Sequence, residues 1–285
     1  MKLSIVILNW NSAAELRRCL RSLATCTVAP REIIVVDNGS LLDDSPVLLS
    51  ELEAAGAIRC IRNERNLGVG PARNQALAVA QGEYILSIDS DTEVTPGCVE
   101  RLVATMDAHP ELGLCAARLH APDGSLQFTC RRFPSLQSKL CRQLSLSLRD
   151  EVLRLDELRD WDHRAPRYVD YVIGACHCMR RNALDRVGFY DPNIFYGPED
   201  VDLCLRMWKT GWKVLYEGRA VIIHHERRVT KRWSKLLSRA TREHFRGLVH
   251  YFRKHRYLLR PPAYHLVQSD LLTEDLMPGK QECHA

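Results

Sequence analysis

The run L-S-I-V-I-L at residues 3–8 is apolar at nearly every position. That is the pattern of a strand covered on both faces, as in a parallel sheet, not of a strand with one wet side. Similar runs at 32–36, 57–62 and 84–88 predict three more strands, and stretches with helical spacing lie between them. Leu16, Cys19, Leu20 and Leu23 form one apolar helical stripe behind Ser12 and Glu15, which have the spacing of a capping box. Residues 41–55 predict a second helix, and 71–81, closed by Gly82, a third. Strands alternating with helices at this spacing predict an α/β layer fold with a mostly parallel sheet and helices on both faces.

Further along, 112–118 predicts another strand, but from 122 to 166 the pattern degrades into polar, leucine-dotted pieces that define no element. Periodicity returns at 169–179, followed by a short helix from Asn182, the turn F-Y-D-P-N, and a helix over 198–210 closed by Gly211. The last strands fall at 212–216 and 221–223. Beyond them, Trp233, Leu236, Leu237, Ala240, Leu248, Tyr251 and Phe252 recur at helical spacing among Arg and Lys, a basic amphipathic stripe. We therefore expect one large α/β domain over 1–226 and a basic helical extension over 227–285.

Composition changes this picture in three ways. The net charge of +5 is local: twelve Lys or Arg and one acid lie between Arg227 and Arg260, which leaves 28 bases against 34 acids elsewhere. A mildly acidic main domain argues against nucleic acid as its partner, while a cationic stripe bearing aromatics fits anionic lipid on the inner leaflet. Eleven cysteines without framework spacing suit reduced thiols, and C-H-C at Cys176–Cys178 lacks zinc spacing. Lys2 leads straight into the first strand, and no apolar run reaches membrane-spanning length. A cytoplasmic protein peripheral to the membrane is expected.

The candidate chemistry centres on Y-I-L-S-I-D-S-D-T-E-V-T-P-G at 84–97, where a buried-strand pattern stops at Asp89 and Asp91. Thr95, Pro96 and Gly97 predict a helix start, so the two acids fall in a short strand-to-helix loop. Paired hard oxygens on such a loop suit Mg2+ or Mn2+, above all when a substrate phosphate completes the ligand set. Asp37 ends another predicted strand, and parallel strands gather such ends on one sheet edge, the usual place for a nucleotide. The loop G-V-G-P-A-R at Gly68 puts Arg73 where a dinucleotide fingerprint needs its third glycine, and it does not directly follow a strand, which disfavours a dehydrogenase. Arg73 and Asn74 there read equally as nucleotide contacts or as a solvated helix turn. Glu199 and Asp200 stabilise a helix start or supply a general base. His224 or His225, at a strand end, could complete a metal site.

In order, V-I-L-N-W-N, V-V-D-N-G-S, N-x-G-x-x-x-x-R-N, D-S-D-T, G-A-C-x-x-x-R, V-G-x-Y-D-P-x-x-F, E-D-V-D-L-C-L-R and H-H-E resemble glycosyltransferase family 2, particularly its rhamnosyltransferase-like members. The resemblance runs from Met1 to about His225. It implies a GT-A fold with a nucleotide-sugar half over about 1–120 and an acceptor half over about 121–226. It further implies inverting, metal-dependent transfer from a nucleotide diphosphate sugar, for which dTDP-rhamnose is the first donor to expect. The acceptor it implies is a saccharide, often lipid-linked, in bacterial surface polysaccharide synthesis. By this resemblance Asp37 and Arg73 face the base, Asp89 the ribose, Asp91 the metal, and Asp200 is the base that deprotonates the acceptor. Asn9, Asn11, Asn66, Gly68 and Glu199 join the nucleotide-sugar site, and His224 or His225 joins Asp91 on Mg2+ or Mn2+. Arg227 and Arg228 stand where the family's glycines follow that histidine. A sugar nucleotidyltransferase would want a glycine- and lysine-bearing first loop, which V-I-L-N-W-N is not. A catalytically inactive sugar-nucleotide binder or membrane scaffold is the remaining rival.

Overall fold

The computed structural model describes residues 1–29, 31–143, 149–226 and 239–264. Strands β1 (Leu3–Asn9), β2 (Arg31–Asp37), β3 (Arg59–Arg62) and β4 (Tyr84–Asp89) alternate with helices α1 (Ala13–Ser22), α2 (Ser45–Ala54) and α3 (Val69–Val79). Next come β5 (Thr92–Val94), α4 (Cys98–Ala108) and β6 (Leu112–His120), then β7 (Leu126–Gln127) and β8 (Cys130–Arg131). Two short helices, α5 (Leu136–Gln143) and α6 (Arg149–Asp156), lead to β9 (Arg167–Tyr168), β10 (Tyr171–Val172) and β11 (Cys176–Arg180). Helices α7 (Arg181–Val187) and α8 (Glu199–Lys209), strand β12 (Lys213–His224) and helix α9 (Arg239–His255) complete the described chain.

The main sheet runs β3-β2-β1-β4-β11-β6-β12-β5. Pairing is parallel from β3 to β4 and between β6 and β12, while β11 enters antiparallel between β4 and β6. Alternation along β1 explains its two-sided burial: Leu3, Ile5 and Ile7 join one apolar cluster with α1, α2 and α4, and Val6 joins another with α3, α7, α8 and α9. Each fully buried Leu or Ile contributes roughly 1.5–3 kcal/mol, so these runs fix the sheet's register as well as its stability.

Register places the site. Asn9 pairs with Asp37 and Leu8 with Asp89, so both acids flank the carboxyl end of β1. The chain goes from β1 out to β2 and β3, then crosses back to β4 on the other side. This reversal opens a crevice beyond β1 and β4, where ligands bind open α/β sheets.

Four local expectations are corrected. Thr95 does not cap a helix. Cys98 N donates to Thr95 O at 3.1 Å, and Gly97 has φ +79°, so Pro96 and Gly97 occupy the centre of a tight turn, and α4 begins at Cys98. Asp89 and Asp91 accordingly lie in a strand-to-strand connection, because β5 intervenes and pairs with β12. The Ser12–Glu15 capping box does not form; Ser12 Oγ donates instead to Asn9 Oδ1 at 2.8 Å. Residues 213–224 make one long strand where two were expected, with an irregular register between Glu217 and Val221.

Helix α9 packs on the sheet's second layer through Gly247, Tyr251 and Phe252, all buried. Tyr251 and Phe252, assigned from sequence to a lipid-facing stripe, therefore face the protein. Trp233, Leu236 and Leu237 of that stripe, and Arg227 and Arg228, lie outside the described residues. Among the described residues no helix is long and apolar enough to cross a membrane.

Candidate functional site

At the crevice, one ligand atom each from Asp89, Asp91 and His224 lies within 4.8 Å of the others. Asp89 ends β4, Asp91 follows two residues later, and His224 ends β12, which β5 draws alongside by pairing His224 with Thr92. His224 Nε2 is 3.4 Å from Asp91 Oδ1. Its other ring nitrogen donates to Gln127 Oε1 at 2.7 Å, while Gln127 Nε2 donates to the His224 carbonyl at 3.0 Å. This two-point grip fixes the tautomer and turns Nε2 toward the carboxylates. Burial alone would lower the pKa of His224, but Asp91, and behind it Asp89 and Glu226, raise it. The neighbouring His225 does not join the cluster: its Nε2 lies 2.5 Å from Glu93 Oε1, and its backbone N–H donates to Asp91 O. His225 lies one residue past the end of β12, and the two histidines meet different acids.

Arg73 links this cluster to a second pair of acids. Near the start of α3 its side chain is only 1% exposed, with Nη2 donating to Asp89 Oδ1 and, at 2.9 Å, to the Gly174 carbonyl. A first-turn arginine this deep is no solvated cap. Burial alone would lower its pKa, yet Asp89, Tyr190, Glu199 and Asp200 together hold it firmly charged. The resemblance turns Arg73 toward the base; the geometry places it between the acids of β4 and those of α8. Asp200 accepts from Gly174 N at 3.2 Å and from Val201 N at 2.8 Å. Burial raises Asp200, Asp89 and Glu199 above the ordinary carboxylate range, and Glu199 reaches about 7. Glu199 Oε2 is buried without a hydrogen-bond partner among the described atoms.

The other edge of the crevice is a polar mesh. Asn9 Nδ2 donates to Asp37 Oδ1 at 3.1 Å and to Ser40 Oγ at 3.2 Å, and Ser40 Oγ donates to the same Asp37 oxygen. Ser12 Oγ contacts Ser90 Oγ at 2.8 Å, spanning the gap between β1 and the acidic turn. Asn11 Oδ1 accepts from the backbone of Leu41 and Leu42, which ties the two loops together. Asn66 and Gly68 meet through Asn38, whose Nδ2 donates to Asn66 Oδ1 and to the Gly68 carbonyl, each at 3.1 Å. Gly68 has φ +94°, and an added Cβ would stand 2.5 Å from Phe195 O, so only glycine fits there. The structure thus puts Asn9, Asn11, Asp37, Asn66 and Gly68 along one edge of the crevice, and Glu199 and Asp200 beside Arg73.

Sequence reading missed Gln127, Gly174, the contact of Ser12 with Ser90, that of Ser40 with Asp37, and the part played by α9. Gln127 belongs to a two-residue strand in the stretch without periodicity. Helix α9 comes against the loop before α8: a Cβ on Gly247 would stand 2.5 Å from Gly197 O, and one on Gly197 would stand 2.6 Å from His244 Nδ1. Its last turns carry His250 and Lys254 to Asp191, at 3.0 and 2.7 Å, and Lys254 and His255 to Asp202, at 2.7 and 2.8 Å. The helix signal was visible in sequence, but nothing in it says which face meets the loop before α8.

The chain is 28% identical over 251 residues to an N-acetylglucosaminyl-diphospho-decaprenol L-rhamnosyltransferase of Mycobacterium tuberculosis, covering 81% of this chain and 78% of that protein. Among solved structures it resembles the mannosyltransferase PcManGT of Pyrobaculum calidifontis, solved with GDP-Man and Mn2+, at a TM-score of 0.60 and 18% identity over 92% of this chain and 66% of that one. It also resembles TarS 1-349 of S. aureus, at a TM-score of 0.56 and 19% identity over 79% of this chain and 60% of that one. These structures share the GT-A fold, a curled, mostly parallel sheet between helices. Residues 4–188, well over half of the sequence, match Glycosyl transferase family 2, and the chain belongs to that family.

Proposed function

We propose that the protein is a metal-dependent, inverting glycosyltransferase that moves a sugar from a nucleoside diphosphate to a hydroxyl of a lipid-linked saccharide. L-Rhamnose from dTDP-rhamnose is the first donor to test, on the strength of the rhamnosyltransferase relative. One observation carries the reading: Asp89, Asp91 and His224 gather on one side of the buried Arg73, and Asp200 stands on the other. Residues 1–120 then hold the donor, 121–226 shape the acceptor side, and 227–285 form a basic extension.

Two carboxylates and an imidazole are a mixed oxygen and nitrogen donor set that fits Mn2+ and, with phosphate oxygens and water added, Mg2+. Asp91 and His224 would hold the ion, with Asp89 shared between it and Arg73. Bound there, a divalent ion supplies positive charge to the departing diphosphate. The chain's own groups account for the rest. Asn9, Asp37, Asn66 and Gly68 shape the nucleotide edge, and Asn11 ties down the loop after β2. Burial raises Asp89, and the charge of Arg73 opposes that rise. Asp200, raised by burial, is a stronger base than an ordinary carboxylate and takes the proton of the attacking hydroxyl. Attack from the face opposite the diphosphate inverts the anomeric carbon in one displacement, without a protein nucleophile.

In the same reading the enzyme works on bacterial surface polysaccharide at the inner face of the cytoplasmic membrane, drawn there by the cationic C-terminal segment. The deciding experiment is calorimetric titration with dTDP, UDP and GDP, with and without Mn2+, on the native protein and on Asp91→Ala. Binding of one diphosphate that needs Mn2+ and vanishes in the variant supports the site. A folded protein that binds none of the three, or binds one equally well without metal, overturns it.

A further inference from the structure

The C-H-C segment, which lacks zinc spacing, has a histidine that the chemistry above does not use. His177 lies in β11, opposite Ser87 of β4, and is fully buried. A buried imidazole must satisfy two ring nitrogens, and the partners here decide how. Nε2 is 3.2 Å from the carbonyl oxygen of Val172, which can only accept, so Nε2 carries the proton. Nδ1 then accepts from the Tyr190 hydroxyl, also at 3.2 Å. Burial, with the charge of Arg73 behind it, lowers the ring to about 3, so it stays neutral. With both nitrogens engaged, such a group neither shuttles protons near neutral pH nor takes a metal. What it does is hold two segments at a fixed spacing.

Both segments lead to the charged groups of the site. Two residues past Val172, the Gly174 N–H donates to Asp200 Oδ2 at 3.2 Å, and the Gly174 carbonyl accepts from Arg73 Nη2 at 2.9 Å. One residue thus bridges Asp200 and the buried cation. The bridge has no slack, since a Cβ on Gly174 would stand 2.8 Å from Arg73 Nη1 and 3.7 Å from Asp200 Cβ. Tyr190, the second partner, sets its ring beside the same guanidinium and exchanges backbone hydrogen bonds with Asn74. The two hydrogen bonds of His177 therefore end on the supports of Arg73 and Asp200, and not on Asp91, His224 or the Asn9–Asp37 contacts.

We propose that His177 is a positioning residue for the transfer: by fixing the 172–174 turn against Tyr190, it keeps the Gly174 N–H on Asp200 and so aims that carboxylate at the attacking hydroxyl. The proposal rests on the transferase reading above, in which Asp200 is the base. Burial raises Asp200, while the N–H groups of Val201 and Gly174 and the charges of Arg73 and Lys139 oppose the rise. Releasing the turn removes the Gly174 contribution, so Asp200 should then hold its proton to higher pH. Arg131, Tyr196 and Glu199 also interact with Asp200, and they are the same in every protein compared below.

The test follows the Asp200 carboxyl by 13C NMR across pH in the metal-free full chain labelled at aspartate, with Asp200→Asn identifying the signal. His177→Leu, which fills the space without either hydrogen bond, should raise the Asp200 midpoint by about half a pH unit or more, roughly a threefold loss of acidity. Tyr190→Phe loses only the hydroxyl and should move the midpoint the same way. His177→Gln keeps one donor and one acceptor on a planar group, so its midpoint should lie within about 0.2 of native. Mn2+-dependent nucleotide binding should stay within about twofold of native in all three. A merely structural role for His177 predicts lower melting temperatures with an unmoved Asp200 midpoint, and that result overturns the proposal. So does a glutamine variant that folds but does not restore the midpoint. If the leucine variant does not fold, Tyr190→Phe decides, and a native midpoint there overturns the proposal equally. Native protein that binds no nucleotide would strike the transferase reading instead, while the titration would still show whether His177 governs Asp200.

Discussion

Replacing Glu199 by Gln should make the protein's stability less sensitive to pH, by an amount the structure sets. The carboxyl is buried, with Oε2 unpartnered, and its pKa stands at about 7 against an ordinary 4.5. Burial is the main cause, the charge of Asp200 adds to it, and Arg73 opposes both. The folded protein therefore keeps this proton up to about pH 7, whereas the unfolded chain releases it near 4.5. Between those values the folded state binds more protons, so unfolding free energy falls as pH rises. Stability from this group is complete below 4.5 and lost by passage through 7. At about 1.4 kcal/mol per pH unit, the span from 4.5 to about 7 is worth about 3 kcal/mol. Glutamine has the same shape and no proton to lose, so the variant should gain about 3 kcal/mol relative to native protein between pH 4.5 and 8. Urea denaturation of metal-free protein at both pH values reads this difference directly. Two curves that stay parallel within about 1 kcal/mol would falsify the buried, unpartnered carboxyl on which the reasoning depends.

Three other outcomes follow from single contacts. Gln127→Leu removes the acceptor that orients His224, and loss of such an outer partner typically weakens metal affinity 10–100-fold; Mn2+ titration giving an unchanged Kd would show that the grip does not matter. Gly247→Leu forces a Cβ within 2.5 Å of Gly197 O, an overpacking of about 1–3 kcal/mol, so thermal melting should drop and kcat should fall more than donor affinity, with equal kcat ruling out support of the loop by α9. Asp202→Asn strips Arg206, Lys254 and His255 of a fully buried partner and should destabilise by about 3–5 kcal/mol. Because Asp202 is lowered to about 2 despite its burial, that deficit should be present above the ordinary 3.8 and fade as pH falls toward 2, which denaturation at pH 2.5 and 7 can check.

How far the sequence could carry such predictions depended on where each element drew its information. Strands β1 and β4 lie within one residue of their predicted ends, because burial on both faces leaves an apolar run that only a strand of that length explains. The acids ending β2 and β4 were legible for the same reason. Strand β5 was not, since T-E-V carries no period of its own and is a strand only by virtue of β12 beside it. The inserted β11 falls in the stretch 169–179 where periodicity returned, but neither its separation from β10 nor its antiparallel direction was legible, because direction is set by the path of the chain through 122–166. That stretch holds two-residue strands and eight-residue helices, too short for periodicity to register. His224 and His225 were indistinguishable as text; the pairing of β12 with β5 is what turns one toward Asp91 and the other toward Glu93.

Arg73 shows most clearly why placement had to come from tertiary structure. On paper it was a polar residue in the first turn of a helix, equally suited to solvent or to a ligand. In the fold it is a buried cation that several crowded acids share. Without it, Asp89, Glu199 and Asp200 would have no positive charge among them, and like charges held close drive one another to protonate. Its position is held from both sides. Asn74, the next residue, exchanges two hydrogen bonds with the backbone of Tyr190, whose ring lies beside the guanidinium, 5.7 Å from its centre. Tyr190 in turn precedes Asp191, which His250 and Lys254 of α9 secure. A disturbance of α9 is thus transmitted through the 190–200 loop to both acid groups. Activity should accordingly be more sensitive to changes on the inner face of that C-terminal helix than its distance along the chain from Asp89 suggests.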